Sequence, residues 1–376
     1  MKYCVLYLPT ENVNLVKDMG MIPYKLYKLY NYDAYVISYK NGDYPYLQEE
    51  VKGLKMDYVE KKYNNQSLDG MRYLRKNARN IDILQLFSVT LSSVFHTFTY
   101  KFFNPQGKVY LKLDCTHQLV KKILELKGIK LFLFNKFLDK VDLISAEQEE
   151  IYHELKKIGL FHSKKLINIA NGVDYDYLKN NKITYCFEEK ENIILNVARI
   201  GTEQKNTEML LEAFKNIKDI AKSGWKLVLV GPIEEKFQAY IQNFYKDNSH
   251  LKDIVIFKGN ISDRKKLYEE YKKAKIFCLS SRPRFESFGI VYIEAAALGD
   301  IIVSTDVGIA KELVSGENGA IVQVEDTKAL TIKLEEFINN NNLKEYSKQT
   351  YELCRNKFDW EKLVVRLNES IKTLYS

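Results

Sequence analysis

The chain has 376 residues, of which 46% are hydrophobic and 28% are charged. This length exceeds one ordinary compact core and predicts two domains, and the composition is that of an ordinary globular protein. No stretch approaches the roughly 20 apolar residues of a membrane-spanning helix. The five scattered cysteines contain no C-x-x-C pair and indicate neither a disulfide framework nor a zinc site.

The first half alternates short apolar runs with helical segments. Its strand candidates are KYCVLYLP, DAYVISY, IDILQLFS, KVYLKLD, VDLISA and KLINIANGV. The opening run is too short for the core of a signal peptide and predicts a first strand. A polar connector, LKNNKITYCFEEKEN, follows these runs and predicts a domain boundary near residues 180–190.

The second half alternates more clearly. Its predicted strands are NIILNVA, KLVLVG, DIVIFKG, KIFCLSS, DIIVST and GAIVQV, with helical segments between them. Buried strands that alternate with helices predict a parallel sheet covered on both faces. The whole chain is therefore predicted to be an α/β protein with domains over 1–187 and 188–355. Residues 356–376 are expected to form a final amphipathic helix that packs back on the first domain.

The positive charge is uneven along the chain. Residues 1–187 hold 28 Lys+Arg and 20 Asp+Glu, whereas the remainder holds 29 of each. An anionic partner of the first half, such as a phosphate-bearing acceptor or an acidic membrane surface, is one explanation, and ordinary solvated lysines are the other. The basic, apolar segment 121–140 leaves the same two alternatives open, because it suits either an acidic membrane or a helix pair that packs on the core.

The stretch ESFGIVYIEAAALG, residues 286–299, places a carboxylate on either side of an apolar run. It follows the predicted strand KIFCLSS, so Glu286 is expected at the end of the sheet where ligands bind. Ser287 is predicted to cap a helix whose first N–H groups favour an anion, and Gly289 lets the backbone come close to it. Glu294 lies about two turns further, so the two carboxylates can bind the hydroxyls of two sugars on either side of a diphosphate. The alternative is a helix with one buried, paired glutamate and one glutamate at its N-terminus that complements the helix dipole.

Two cations follow the strand NIILNVA at the same end of the second sheet. Arg199 and Lys205 there would neutralise a diphosphate without a metal ion. Together with the Glu286 loop they predict a site for a nucleotide sugar. The D-x-D pair of Asp174 and Asp176 is interpreted as backbone capping in a turn, not as a metal site.

These residues, with LVLVGP, FKGNIS, VSTDVGIAKELV, LISAEQEE and IANGVD, resemble the retaining GT-B glycosyltransferases of family 4, whose signature is the E-x7-E spacing. The resemblance covers about residues 140–376. It implies two Rossmann-like domains that face each other across a cleft. The first would bind a glycan or lipid-linked acceptor and the second a nucleotide-sugar donor. No cofactor and no metal ion are expected.

The resemblance also implies roles for the donor-side residues. Glu286 would bind the transferred sugar, Glu294 the ribose, and Arg199 and Lys205 the diphosphate. The other implied donor contacts are Ser287, Phe288, Gly289, Ile290, Gly231 and Ile261. This sequence departs from the family in having Ala198 where glycine is common before the arginine, and in carrying the additional Arg282 and Arg284.

The acceptor side is less well defined. Asp114 ends the strand KVYLKLD and is the first candidate for a group near the reacting sugar. His117, His96 and Gly20 are the alternatives. The implied reaction is attack of the acceptor on the face that the leaving group vacates, with the departing phosphate taking the acceptor proton.

Three classes of function remain in competition. The preferred one is a cytoplasmic or peripheral inner-membrane glycosyltransferase of cell-surface polysaccharide or glycoconjugate synthesis, with UDP favoured as the commonest base. A phosphorylase or other phosphosugar enzyme on the same fold is the second. The third is a non-enzymatic protein that binds an anionic polymer through the basic first half. Nucleic acid is not expected, because no recognition motif accompanies the basic residues.

Overall fold

The computed structural model describes residues 1–114, 116–159, 161, 165–283 and 287–376. The chain forms two compact units, 1–172 with 360–376, and 173–359. The sequence had predicted divisions at 187 and 355, whereas the units divide after residues 172 and 359. Among the described residues, no helix combines the length and apolar character needed to cross a bilayer.

The first unit contains a parallel sheet of seven strands in the order β3-β2-β1-β4-β5-β6-β7. The strands are β1 Lys2–Leu6, β2 Asp33–Ser38, β3 Lys55–Tyr58, β4 Ile83–Phe87, β5 Lys108–Leu113, β6 Leu143–Ala146 and β7 Leu166–Asn168. The helices are α1 Asp18–Tyr30, α2 Tyr46–Glu49, α3 Gln66–Asn77, α4 Leu91–Phe103, α5 His117–Leu124, α6 Gly128–Lys140 and α7 Glu149–Ile158, with the last helix of the chain, Trp360–Lys372.

The second unit contains a parallel sheet of six strands in the order β10-β9-β8-β11-β12-β13. The strands are β8 Glu191–Val197, β9 Lys226–Val230, β10 Val255–Gly259, β11 Ala274–Leu279, β12 Ile301–Thr305 and β13 Gly319–Val322. The helices are α8 Tyr175–Asn180, α9 Thr207–Lys215, α10 Gln238–Asp247, α11 Arg264–Lys273, α12 Ile290–Ala296, α13 Ala310–Leu313, α14 Thr327–Ile338 and α15 Leu343–Lys357.

The apolar runs of the sequence account for both sheets. Their centres, such as Leu84, Leu111, Ile194 and Phe277, are fully buried because helices cover both faces. The prediction of two Rossmann-like α/β domains is therefore confirmed. The sequence analysis missed β3, a four-residue strand at the sheet edge whose side chains are exposed or half-buried and carry little apolar signal.

The last helix, α16 (Trp360–Lys372), belongs to the first unit. Its buried face, which includes Trp360 and Leu367, packs against α1. The hydroxyl of Tyr32 donates to Asn368 Oδ1 at 2.8 Å. The Nζ atom of Lys25, which is fully buried, lies 3.6 Å from Glu361 Oε1. The first unit is thus assembled from the two ends of the chain.

Candidate functional site

In the second sheet the order of the strands reverses at β8, because the chain adds strands first on one side of β8 and then on the other. This strand pairs with β9 on one side and with β11 on the other, so the helices that follow β8 and β11 cover opposite faces. In open α/β sheets, a crevice forms at such a switch point beyond the carboxyl ends of the strands. The two loops that carry the predicted donor-binding residues leave the sheet at this point, one after β8 and one after β11.

The loop after β8 holds the predicted diphosphate-binding cations. Arg199 is exposed, and its guanidinium donates to Gln204 Oε1 at 2.6 Å. Lys205 is half-buried, and its backbone N–H donates to Thr202 O at 3.0 Å. The hydroxyl of Thr202 donates to Arg199 O at 3.1 Å. Hydrogen bonds within the loop therefore hold the backbone that carries both cations.

The loop after β11 is tied to the loop after β8. The hydroxyl of the buried Ser280 donates to Asn206 O at 2.8 Å, and the backbone N–H of Arg282 donates to Gln204 O at 2.9 Å. The Arg282 guanidinium donates to Glu325, beyond β13, and to the carbonyl of Glu203. The hydrogen bond to Glu325 raises the pKa of Arg282. Arg282 therefore joins three loops at the carboxyl edge of the sheet.

The helix after this loop begins later than predicted. Residues Arg284 and Glu286 lie outside the described part of the chain. Ser287 is half-buried, but the residue that caps α12 is Gly289, at a φ of 85°. This left-handed conformation favours glycine, so the predicted cap at Ser287 is wrong by two residues. Phe288 is buried against Phe358, and its carbonyl accepts from Ile309 N at 3.0 Å, which fixes the chain just before α12.

Glu294 lies on α12 among tyrosines. It is half-buried, and the hydroxyl of Tyr271 donates to its Oε2 at 3.1 Å. Burial, together with the negative charge of Glu294, raises the pKa of Tyr271, so this hydroxyl stays protonated and remains a donor. The contact fixes one oxygen of the carboxylate. Ile290, the first residue of α12, is half-buried.

Gly231, directly after β9, lies in close contact with the β8 loop. Its φ is 142°, and a Cβ atom there would lie 1.8 Å from the carbonyl oxygen of Ala198. Only glycine fits this approach, which brings the end of β9 next to the backbone that carries Arg199. Ile261 lies two residues beyond β10 at the same edge of the sheet and is half-buried.

We expect Gly231→Ala to lower the free energy of unfolding by about 2–5 kcal/mol, because it adds a contact with the Ala198 carbonyl to a strained backbone. Urea unfolding would measure this loss. Gly224→Ala is the matched control, since Gly224 also has a positive φ, 76°, but nothing lies within 4 Å of its Cβ position. Equal losses in both variants would show that the Ala198 contact contributes nothing.

In the first unit, the acceptor-side candidates lie in different surroundings. Asp114 follows β5 directly and is exposed, and its carbonyl accepts from the hydroxyl of Ser88 at 3.2 Å. Gly20 lies in the first turn of α1, where a Cβ atom would come within 2.1 Å of Leu15 O. Both residues lie at the carboxyl edge of the first sheet, after β5 and β1.

The two histidines make other contacts. His96 is buried in α4, and its Nε2 lies 3.1 Å from Gln66 O and 3.2 Å from Ser67 O at the start of α3. Burial lowers its pKa, so it is a neutral donor to these carbonyls. His117 is exposed at the start of α5, and its Nδ1 lies 3.0 Å from Glu154 Oε2. With Glu150 these groups form a cluster of suitable size for a metal ion, and the hydrogen bond between His117 and Glu154 accounts for their approach without one.

The sequence analysis missed a buried charged cluster at the carboxyl edge of the first sheet. Lys112, on β5, is completely buried, and its Nζ donates to Glu147 and lies 3.1 Å from Asp18 Oδ2. Asn171 Nδ2 donates to the same Glu147 oxygen at 3.1 Å. Burial raises the pKa of Glu147 to about 8, although the charge of Lys112 opposes the shift. The signal available in the sequence was a lysine inside an otherwise apolar strand, KVYLKLD.

Comparison with known proteins gives this site a family context. Residues 180–352 match the family described as glycosyl transferases group 1. The capsular polysaccharide biosynthesis glycosyltransferase CapM of Staphylococcus aureus is 28% identical over 272 residues, which are 65% of this chain and 67% of CapM.

Two further similarities extend this context. The chain is also similar to an α-1,4-N-acetyl-D-galactosaminyltransferase of Campylobacter jejuni, which is named for a PP-undecaprenol-linked sugar. The two are 30% identical over 192 residues, which are 48% of this chain and 50% of the Campylobacter protein. The crystal structure of Anabaena HepE in complex with UDP and glucose superposes with a TM-score of 0.72 at 16% identity, over 99% of this chain and 100% of that chain.

The fold and these similarities define the class of protein. The chain is a glycosyltransferase with the GT-B fold. Its second unit carries the segment that matches the group 1 glycosyl transferases, and this segment contains the switch point and both loops described above.

Proposed function

We propose that the protein is a retaining, metal-independent glycosyltransferase that moves a hexose or N-acetylhexosamine from a nucleoside-diphosphate sugar to a sugar or lipid-linked acceptor. UDP is the proposed nucleotide, because the fold neighbour HepE has been solved with UDP and glucose. The proposed role is in cell-surface polysaccharide or glycoconjugate synthesis, on the cytoplasmic side of the membrane. The names of CapM and of the Campylobacter transferase support this role.

The observation that carries the proposal is the arrangement of the β8 and β11 loops at the switch point. Arg199 and Lys205 stand on a folded loop that is hydrogen-bonded to the loop leading to Glu286. Two cations next to the position of a diphosphate would stabilise its charge as it leaves, which is the task that a metal ion performs in other transferases. Glu294, oriented by Tyr271, would accept hydrogen bonds from ribose hydroxyls.

The proposed reaction breaks the bond between the anomeric carbon and the β-phosphate oxygen, and forms a bond between the same carbon and the acceptor oxygen on the same face. The acceptor proton goes to the departing phosphate oxygen, so no protein nucleophile is required. Arg199 and Lys205 stabilise the diphosphate, Glu286 holds the transferred sugar, and Asp114 is the acceptor-side group proposed to approach the reacting sugar. His96 and His117 have no role in the proposal.

The donor can be tested by thermal unfolding of the full chain with UDP, GDP, UDP-glucose, UDP-galactose, UDP-GlcNAc and GDP-mannose, with EDTA present. We expect one nucleotide family to raise the Tm, since a ligand at about 100 times its Kd stabilises the folded state by about 2.7 kcal/mol. Lys205→Ala should reduce this shift because it removes one of the two diphosphate-binding cations.

Lys226→Ala is the matched control, because Lys226 is an exposed cation at the opposite, amino end of β9. Stabilisation that appears only when a divalent metal replaces EDTA would contradict the metal-independent part of the proposal. The absence of any shift with all six ligands would contradict the donor site itself. Analysis of the product by NMR would test retention, because an inverted anomeric centre excludes the proposed mechanism.

A further inference from the structure

Helix α4 exposes apolar side chains and buries mainly polar ones, the reverse of an ordinary amphipathic helix. Its four outward side chains are large and apolar, with exposed fractions that exclude core packing: Leu91 77%, Phe95 47%, Phe98 39% and Phe102 78%. Their spacing of four, three and four residues places them on one stripe of the helix. Its inward side chains are instead mainly polar: Ser93, His96, Thr97 and Tyr100.

The inner face of α4 fixes this orientation. The hydroxyl of Ser93 donates to Ser88 O at 2.8 Å, and the Tyr100 hydroxyl donates to Ile81 O at 2.8 Å. His96 contacts the start of α3, where a Cβ atom on Gly70 would lie 2.2 Å from its Nε2. Rotating α4 to bury its apolar stripe would break these buried hydrogen bonds. The stripe therefore stays exposed unless something covers it from outside.

A cavity of about 710 Å³ opens beside the stripe, between α3 and α4. Its walls are mainly apolar, with Leu68 and Met71 from α3 and Phe98 and Phe102 from α4. The side chains of Arg72 and Arg75 also line it. Arg72 is paired with Glu60 at 2.7 Å. Apolar walls beside the guanidinium group of Arg75 suit an amphiphile with an apolar chain and an anionic head.

Helix α6, which packs beside α4, extends the apolar surface. Ile129, Phe132 and Leu133 on its outer side are each more than half exposed. Segment 121–140 combines these side chains with six lysines and only two acidic residues. Exposed apolar side chains surrounded by lysines are typical of a surface that enters the headgroup region of an anionic bilayer.

We propose that the α3–α4–α6 face of the first unit binds the surface of an anionic phospholipid bilayer, with the α4 stripe at the level of the headgroups and the α3–α4 cavity holding an acyl chain. The charge complementarity of the lysines and arginines selects a lipid surface as the occupant. This proposal adds a membrane contact to the proposed function. It rests on that function only for its biological reason, which is that a lipid-linked acceptor lies in the membrane.

The test is co-flotation of the full chain with vesicles of phosphatidylcholine alone and with about one-third phosphatidylglycerol. We expect binding to the anionic vesicles, and weaker binding when salt is raised from ~0.1 M to ~1 M, where the Debye length falls from about 10 Å to about 3 Å. Leu91→Glu/Phe102→Glu should lower the vesicle partition coefficient by about a hundredfold, since burying one such side chain alone changes it roughly tenfold.

Ile332→Glu is the matched control, because Ile332 is 44% exposed on α14 in the other unit. Equal binding of the double variant and the control would overturn the proposal. A second outcome would also overturn it: wild-type protein binds neither kind of vesicle and is a dimer, whereas the double variant is a monomer. The α4 stripe would then be an interface between two copies of the chain. The nucleotide-induced Tm shift, measured on the same samples, reports the donor site independently of either result.

Discussion

Replacing Lys112 by methionine should lower the free energy of unfolding by about 3–5 kcal/mol, the usual cost of removing one partner of a buried ion pair. The variant would leave Glu147 and Asp18 buried without the cation that both contact in the first unit. Methionine fills a similar volume, so loss of charge and not loss of packing would dominate. Urea unfolding of both proteins at pH ~9, where Glu147 is ionised, measures the difference.

The pH dependence of this loss has a definite sign. The pKa of Glu147 is raised by burial from its ordinary value of 4.5 to about 8, so its contribution to stability is greatest below pH ~4.5 and is lost as the pH rises through about 8. The charge of Lys112 opposes this shift, and the methionine variant would raise the pKa of Glu147 further. The deficit of the variant should therefore be smaller at pH ~5 than at pH ~8.

A second variant controls for packing. Lys112→Met/Glu147→Gln removes one of the stranded carboxylates and should recover part of the lost stability, because Asn171 can still donate to the new amide oxygen. If the double variant is no more stable than the single one, the cost comes from the shape of the methionine. A single variant within about 0.5 kcal/mol of wild type would show that the cluster does not stabilise the fold.

Arg199→Ala is expected to lower kcat/KM for glycosyl transfer by a factor of about 10²–10³. Removing one preorganised donor to a developing anion has this effect in other enzymes. The fold should be unaffected, because Arg199 is exposed and its guanidinium bonds only to Gln204 among the contacts described above. Steady-state kinetics with the donor identified by thermal unfolding would measure the loss.

One further variant separates charge from geometry at position 199, and a second, at another position, is the control. Arg199→Lys should recover part of the rate, since an ammonium group supplies the charge but not the planar pair of donors. Lys226→Ala, at the opposite end of the second sheet, should leave kcat/KM unchanged. If Arg199→Ala keeps the wild-type rate, or if Lys226→Ala loses as much as it does, the diphosphate is not held by the β8 loop.

Periodicity predicted both α/β domains and the strands of the two sheets except β3. Apolar runs of four to seven residues predicted all six strands of the second sheet, because parallel strands covered on both faces need continuous apolar segments. The resemblance to GT-B glycosyltransferases is confirmed by the group 1 match and by the fold neighbours. Strand β3 was missed because its four side chains are exposed or half-buried and form no apolar run.

The site was less predictable because its parts depend on distant contacts. The cap of α12 is set by Gly289 at a positive φ, whereas local composition favoured Ser287. The role of Arg282 depends on Glu325, 43 residues away, so no local pattern in the sequence could indicate it. The cluster around Lys112 joins four segments that only the sheet order brings together.

The assembly of the first unit from both ends of the chain has a consequence for biosynthesis. The seven-strand sheet can form while the ribosome is still making the second unit, but the α1 side on which α16 packs stays uncovered until residues 360–372 have been made. A nascent or truncated chain would present the surface that Trp360 and Leu367 otherwise cover, and chaperones and proteases respond to such apolar surfaces. The first unit is therefore complete only after the whole of the second unit has been made.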